Sequence, residues 1–417
     1  MSNNYSFEIL HWEKNFGKPI ESWTYLPIEK LIKERKDSRV NDGSLKLCSL
    51  TIEDGVVEKT ERYNREFLLK NQEDNKYKCV HPNDIVINPM NLRFGAIAKS
   101  EHPEPVLVSG YYNVVSASKL VDTDYLNAFL KSTAMNYMYE RVALGTLNEK
   151  KRVHLSELKK IVVPIPTIKE QLKIGQILST WDKATITTEK LIETSKKQKK
   201  ALMQQLLTGR KRLVNPETGK MFEGEWEQFS FGDIANISSK KHDPKKATIS
   251  VPCVELEHIK QETGGILGTA DSTDLASIKN KFTAGDVLFG KLRPYLKKYA
   301  FPSFDGVCST EIWVLKAKKT IQPEYLYHFV QTNIFISEAN KSAGSKMPRA
   351  DWGVVSELIL KLPSLEEQEK ITAVLNAVDE QLELLEAKLA HFTQEKKALM
   401  QQLLTGKRRV NAEKQWR

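Results

Sequence analysis

The sequence predicts an α+β protein made of two copies of one module. Each copy has short strands and helices in front and one long helix behind. The two long helices are expected to pack as an antiparallel coiled coil with pseudo-two-fold symmetry. Three observations predict this. The run KKALMQQLLTG occurs at 199–209 and again at 396–406. Strand-like patterns recur in register ahead of each run. An apolar seam with heptad spacing leads into each one.

The repeat extends well beyond the eleven residues. At an offset of 197, residues 166–209 align with 363–406 without a gap, and 19 of the 44 positions are identical. Pro166/Pro363, Glu170/Glu367, Gln171/Gln368, Ile174/Ile371, Asp182/Asp379 and Glu189/Glu386 are among them. Arg152 falls over Arg349 at the same offset. At an offset of 200, DYLNAFL (124–130) falls over EYLYHFV (324–330), and Leu92-Arg93 over Leu292-Arg293. At 203, Trp23 falls over Trp226. Small steps in offset are what loop insertions leave behind. A period this long indicates a duplicated domain rather than a solenoid, whose units run roughly 20–50 residues.

In the front parts, DIVIN (84–88), PVLVSGYYNVV (105–115), DVLFG (286–290) and TEIWVLKA (310–317) read as strands bounded by Gly, Pro and Asn signals. Segments 123–140 and 323–339 read as helices with an apolar face. Behind them, no Gly or Pro interrupts 367–404, and Ile371, Leu375, Val378, Leu382, Leu385, Leu389 and Phe392 follow spacings of three and four. The seam breaks at Lys396 and resumes with Leu399 and Leu403. Its counterpart runs through Ile174, Leu178, Trp181, Ile192, Leu202 and Leu206, with Thr185 and Thr188 replacing Leu382 and Leu385. Gly406 suits a left-handed cap, with Lys407, Arg408 and Arg409 at the negative helix end. The expected boundaries are 1–165 and 210–362 for the front domains, 166–209 and 363–406 for the helices, and 407–417 for a basic tail.

Lysine and arginine number 63 against 53 aspartates and glutamates, a net charge of +10 and a pI near 9.1. That excess favours a polyanionic partner, nucleic acid first. The four cysteines are far apart with no CxxC pair, which suits a reducing cytosol. The start MSNNYSFEILHWEKN has no signal-peptide pattern, and no apolar run approaches the roughly 18 residues of a membrane span. A cytoplasmic protein without membrane contact is expected.

Catalytic motifs are missing. No glycine-lysine pair follows a P-loop pattern. The methyl-donor glycine loop and the Asn/Asp-Pro-Pro-aromatic motif are absent, NPMN (88–91) having one proline. Asp286 with Glu311-Ile312-Trp313 has tryptophan where a two-metal nuclease needs lysine. Cys79-Val80-His81 lacks further ligands nearby in sequence, so no metal is expected. The chain reads as non-catalytic and without a cofactor of its own.

Recognition remains. Lys240, Lys241, Lys245 and Lys246 flank a His-Asp-Pro turn, and KLRPYLKK adds Lys291, Arg293, Lys297 and Lys298. Arg293 is the residue suited to bidentate contact with guanine, and Arg93, in NLRFGAIAK with Asn91 and Lys99, is its repeat partner. Asn91 and Gln72 suit adenine. The competing reading is that these are solvated charges, or that Arg93 and Arg293 form internal ion pairs.

Two strand-containing domains, each opening on a tryptophan (WTYLPIEKLI, WEQFSFGDIA) and closing on a Pro-x-x-x-x-Gln helix that ends PTIKEQ…LLTGRKR or PSLEEQ…LLTGKRR, resemble the specificity (S) subunit of type I restriction-modification systems. The resemblance runs from about Trp23 to Gly406. It implies that each front domain is a target recognition domain reading one half of a bipartite double-stranded DNA site. It also implies that the coiled coil sets the spacer and docks two modification (M) methyltransferase subunits. S-adenosylmethionine, ATP and magnesium would then belong to the M subunits and to the restriction (R) motor-nuclease subunits, in the cytoplasm of a bacterium, at the nucleoid. A nuclease with an unusual site and a coiled-coil adaptor for proteins are the other classes the sequence leaves open.

Overall fold

The computed structural model describes residues 5–19, 21–59, 76–246, 249–272, 277–341 and 347–410. By their contacts they form two units, residues 1–189 with 387–417, and residues 190–386. Each unit takes one front domain and one half of each long helix.

In the first unit, Ile32–Glu34, Asn113–Ala117, Ile85–Ile87 and Ile97–Lys99 form a four-stranded antiparallel sheet in that order. Ser38–Val40, Lys76–Val80 and Val106–Val108 form a second, antiparallel sheet, and Thr24–Pro27 pairs with Val162–Ile165. The second unit repeats the plan. Ala235–Ile237, Ile312–Ala317, Val287–Gly290 and Tyr299–Ala300 form the four-stranded sheet, and Glu227–Ser230 pairs with Ile359–Leu362. Lys241–His242, Lys279–Phe282 and Gly306–Cys308 match the second sheet, which Pro252–Val254 and Ala270–Asp271 extend to five strands.

The expected strand 105–115 is two strands. The chain turns at Ser109–Tyr112, where the Tyr112 N–H donates to the Ser109 carbonyl, and each piece joins a different sheet. The expected helix 123–140 is likewise split, into Thr123–Leu130 and Thr133–Val142. Ser132 starts the second piece by accepting a bond from the Met135 N–H. Thr332 does the same for Phe335 in the other unit, between Pro323–Phe329 and Asn333–Lys341.

The long helices are Ile168–Leu206 and Leu365–Leu403, 39 residues each, or about 58 Å at 1.5 Å per residue. Both end where Gly209 (φ +69°) and Gly406 (φ +72°) enter the left-handed region. Within each unit the two helices run antiparallel. In the first, Ile174 and Leu178 share an apolar core with Leu403 and Leu404, Trp181 meets Phe392 edge-on at 5.4 Å, and Lys396 bonds Asp182. In the second, Leu206 and Leu207 share a core with Ile371 and Leu375, and Lys199 bonds Asp379 at 2.7 Å. The two Lys–Asp bridges occupy the same pair of repeat positions.

Of the seam residues, Ile174, Leu178, Ile192, Leu206, Ile371, Leu375, Leu382 and Leu403 are buried. Trp181, Leu202, Val378, Leu385, Leu389, Phe392 and Leu399 are half-buried. The repeated glutamine of the Pro-x-x-x-x-Gln motif attaches each helix to its sheet domain. The buried Gln171 amide donates to the carbonyls of Pro166 and Leu120 and accepts from the Asp122 N–H. Gln368 does the same with Pro363, Thr320 and Gln322. An amide supplies both donors and the acceptor that this junction needs.

One buried group ties the second unit to pH. His328 is fully buried and its Nε2 lies 2.7 Å from the Asn376 Oδ1. Desolvation pushes its pKa from 6.5 down to about 4. The unfolded chain therefore binds a proton that the folded unit refuses. Stability is full above about pH 6.5 and falls as pH drops toward 4, by about 3 kcal/mol. Denaturant unfolding of the wild type at pH 7 and pH 4.5 should show this loss, and His328→Gln should reduce it.

Candidate nucleic-acid interface

A groove of about 610 Å³ opens on the second unit. Its cations are Lys240, Lys241, Lys246, Lys281 and Lys316, against the carboxylates of Asp243 and Asp305. Lys240 ends the segment entering the strand Lys241–His242, and Lys281 lies on the neighbouring strand. The Lys281 N–H donates to the Lys240 carbonyl at 2.9 Å, so strand pairing puts the two side chains on one surface.

The five are not equivalent. Lys316 is held by Asp286 at 2.8 Å, Lys241 donates to the Asn280 Oδ1 at 2.6 Å, and Lys246 lies 3.9 Å from Asp243. Among the described residues, no side-chain partner satisfies the ammonium of Lys240 or Lys281, and Lys245, outside the lining, is exposed as well. Ammonium groups held in a concave surface without an internal counter-ion attract phosphate. The buried His242 also lines the groove, and among the described residues its Nε2 has no hydrogen-bond partner.

The KLRPYLKK segment forms a tight turn, Pro294–Leu296, flanked by Arg293 (φ +52°) and Lys297 (φ +50°). Two non-glycine residues in the left-handed region mark backbone strain that surrounding structure must hold in place. Here the Arg293 N–H donates to the Pro348 carbonyl at 2.7 Å, while its side chain is exposed. Lys291 is half-buried, Lys297 pairs with Glu262 at 3.1 Å, and Lys298 donates to the Leu256 carbonyl at 2.6 Å. Lys298 is thus structural, and Arg293 is the cation this turn presents.

In the first unit the candidates are placed differently. Arg93 points inward. Its guanidinium donates to both Glu140 oxygens at 2.7 and 2.6 Å and to the Asn148 carbonyl at 2.6 Å, and only 3% of its side chain is exposed. It is an internal ion pair, not a reader of bases. Nor is it the counterpart of Arg293. Val86 pairs with Ala98 and Leu288 with Ala300, so the registers set this segment at an offset of 202 and put Tyr295 opposite Arg93. Two extra residues between Ala98 and Val106, relative to Ala300 and Gly306, bring the offset down to 200 only downstream, so the Leu-Arg match at 200 is a slip. Arg93→Ala should cost the first unit about 2 kcal/mol, measured by denaturant unfolding, and leave DNA sequence preference unchanged.

Lys99 is bound to Asp124 at 2.5 Å and Glu101 at 3.2 Å; burial pulls its pKa down, but the two carboxylates together outweigh it and hold the ammonium above its ordinary value. Asn91 is exposed at the start of the turn Leu92–Phe94. Gln72 lies outside the described residues. Sequence reading missed Lys281 and Lys316, which reach the groove from strands distant in sequence.

With this geometry in view, the family of type I restriction modification DNA specificity domains matches residues 52–196 and 223–394. The chain belongs to that family. The MjaVIII type I restriction enzyme specificity subunit of Methanocaldococcus jannaschii is 24% identical over 94% of both chains. The EcoDI specificity subunit of Escherichia coli is 27% identical over 46% of this chain and 43% of its own. Among solved structures, the type I restriction-modification S subunit from M. genitalium superposes with a TM-score of 0.58 at 15% identity, covering 91% of this chain and 96% of that one. A chain from a study of type I complex assembly gives 0.53 at 13% identity, covering 93% and 98%. Both support the fold.

Proposed function

We propose that this chain is the DNA-reading subunit of a type I restriction-modification complex, with each front domain addressing one half of a bipartite site. The observation that carries this reading is the groove of the second unit, where Lys240 and Lys281 stand without side-chain partners among the described residues. Lysines of this kind neutralise phosphates and set register without reading sequence. Arg293, exposed on its strained turn, is the group proposed to reach a base edge. The first domain has the same sheet plan with different side chains at its surface, as a reader of a different half-site requires.

In this reading the paired helices set the spacer and, with adjoining surfaces, dock two modification subunits. Methyl transfer would then use S-adenosylmethionine on those subunits, and restriction subunits would bring ATP- and magnesium-dependent translocation and cleavage. The chain's own work is positional: it brings a target adenine to a partner's active site, which takes the base out of the stack.

The test is a footprint. The chain assembled with its modification subunit should protect two short blocks separated by an unprotected or sequence-indifferent gap. One continuous block, or no sequence-dependent protection, would refute the reading.

A further inference from the structure

The positions that carry Lys240, Lys281 and Thr283 at the groove have counterparts in the first unit, fixed by strand register. Ser38 pairs with Lys78 as Lys241 pairs with Asn280, and Lys78 pairs with Val108 as Asn280 pairs with Cys308. The counterparts are therefore Asp37, Cys79 and His81. A repeated hydrogen bond confirms the match: the Cys79 N–H donates to the Asp37 carbonyl at 3.1 Å, as Lys281 does to Lys240. Where one unit carries two ammonium groups and a hydroxyl, the other carries a carboxylate, a thiol and an imidazole.

We propose that Asp37, Cys79 and His81 form a binding site for one divalent cation of the zinc class. Cys79 and His81 are two residues apart where a strand ends, so their side chains leave on one side, and Asp37, one residue before the neighbouring strand Ser38–Val40, lies across from Cys79. The three donor atoms lie within 4.8 Å of one another. The Asp37 Oδ2 is 3.2 Å from the His81 Nε2, and the Cys79 Sγ is 3.9 Å from the same nitrogen. A tetrahedral zinc ion with ordinary bond lengths sets ligands about 3.4 Å apart for O and N and about 3.6 Å apart for S and N. To reach those separations the Cys79–His81 pair closes and the Asp37–His81 pair opens, each by a few tenths of an ångström.

The surroundings suit an ion that enters from solvent. Cys79 is fully buried and forms the floor, while Asp37 and His81 are each about a third exposed and form the rim. The backbone is held from behind, the His81 N–H donating to Asp84, which also receives the Arg35 guanidinium. Such supports fix ligand orientation. Among the described residues the cation paired with Asp37 is Arg39, 3.6 Å away with its side chain more than half exposed. Binding replaces the thiol proton, released to solvent, with a metal–sulfur bond, and breaks the Asp37–His81 contact. A soft thiolate with imidazole and one carboxylate selects zinc, or cobalt as its probe, over magnesium or calcium. Three protein ligands leave one position for an oxygen, from water or a phosphate. That last consequence rests on the DNA reading; the site itself does not.

The experiment is a cobalt titration of the metal-free full chain, assembled with its modification subunit. One equivalent of Co²⁺ should give a thiolate-to-cobalt charge-transfer band, displaced by one equivalent of Zn²⁺. Cys79→Ser should abolish the band, His81→Asn should weaken binding about 100-fold or more, and Cys48→Ser should leave it intact. His81→Asn changes a rim residue, so it reports on the site should Cys79→Ser fail to fold. A band that survives Cys79→Ser, or the lack of a stoichiometric band in the wild type, would overturn the proposal. Either result leaves the DNA footprint as it was, whereas loss of the footprint with metal binding retained would defeat the DNA reading alone.

Discussion

Replacing Lys240 and Lys281 together with glutamate is expected to lower affinity for duplex DNA by about three orders of magnitude, about 4 kcal/mol. The size follows from where the charges stand. Neither ammonium has an internal side-chain partner among the described residues, so neither is already neutralised as Lys316 is by Asp286. Each reversal removes one attraction to phosphate and adds one repulsion in the same concave surface. The alanine pair should be milder and more diagnostic. It should flatten the dependence of log affinity on log salt by about 2, because two fewer counterions are released.

The loss should be uniform across sequences, since phosphates are the same everywhere. Arg293→Ala should behave differently, relaxing the preference at one base pair by about 1–3 kcal/mol. A Lys316→Ala control tests the reasoning from the other side. It removes the partner of Asp286, so its cost should appear in folding stability before it appears in DNA affinity.

The second large effect concerns spacing. Four residues inserted after Glu189 and four after Glu386, where each long helix passes from one unit to the other, add about 6 Å to each, close to two base-pair steps. Binding to the original site should fall by about 100-fold or more, and should return on a site whose spacer is about two base pairs longer. Both half-site sequences should stay as they were. Insertion into one helix alone should fail on every spacer, because it moves Asp182 out of register with Lys396, or Lys199 with Asp379. Electrophoretic binding to a spacer series reads both results.

The parts legible in the sequence were those carried by local pattern. The duplication and the two long helices followed from spacings of three and four and from one repeated run; of the fifteen seam positions so read, eight are buried, while the buried Met203, Leu207 and Leu404 were not among them. The cap at Gly406 followed from residue type. The split of 105–115 was not legible. Both of its halves are apolar enough for a strand, and only tertiary pairing assigns Val106–Val108 and Asn113–Ala117 to different sheets. The split at Ser132 was visible in principle, a serine followed by helix formers, but Lys131 and Ser132 do not interrupt the apolar face.

The site was less legible than the fold, for a physical reason. Whether a cation is available depends on what lies opposite it, and that partner is usually far away in sequence. Arg93 reads from the sequence as either a base contact or an internal ion pair, and only Glu140, 47 positions on, decides for the pair. Lys281 looked ordinary in KNKF, yet strand pairing sets it beside Lys240. Cys79-Val80-His81 looked short of ligands because Asp37 arrives from another strand. The apparent equivalence of Arg93 and Arg293 failed because sequence identity rewarded a two-residue slip that hydrogen-bond register forbids.

The most direct test of the account uses the chain assembled with the proposed modification subunit and a duplex carrying the two blocks that the footprint defines. Affinity is measured with the left half scrambled, with the right half scrambled, and with only the intervening bases scrambled. The account predicts a loss of about 100-fold or more for either half and almost none for the middle. Equal affinity for all four duplexes would contradict it.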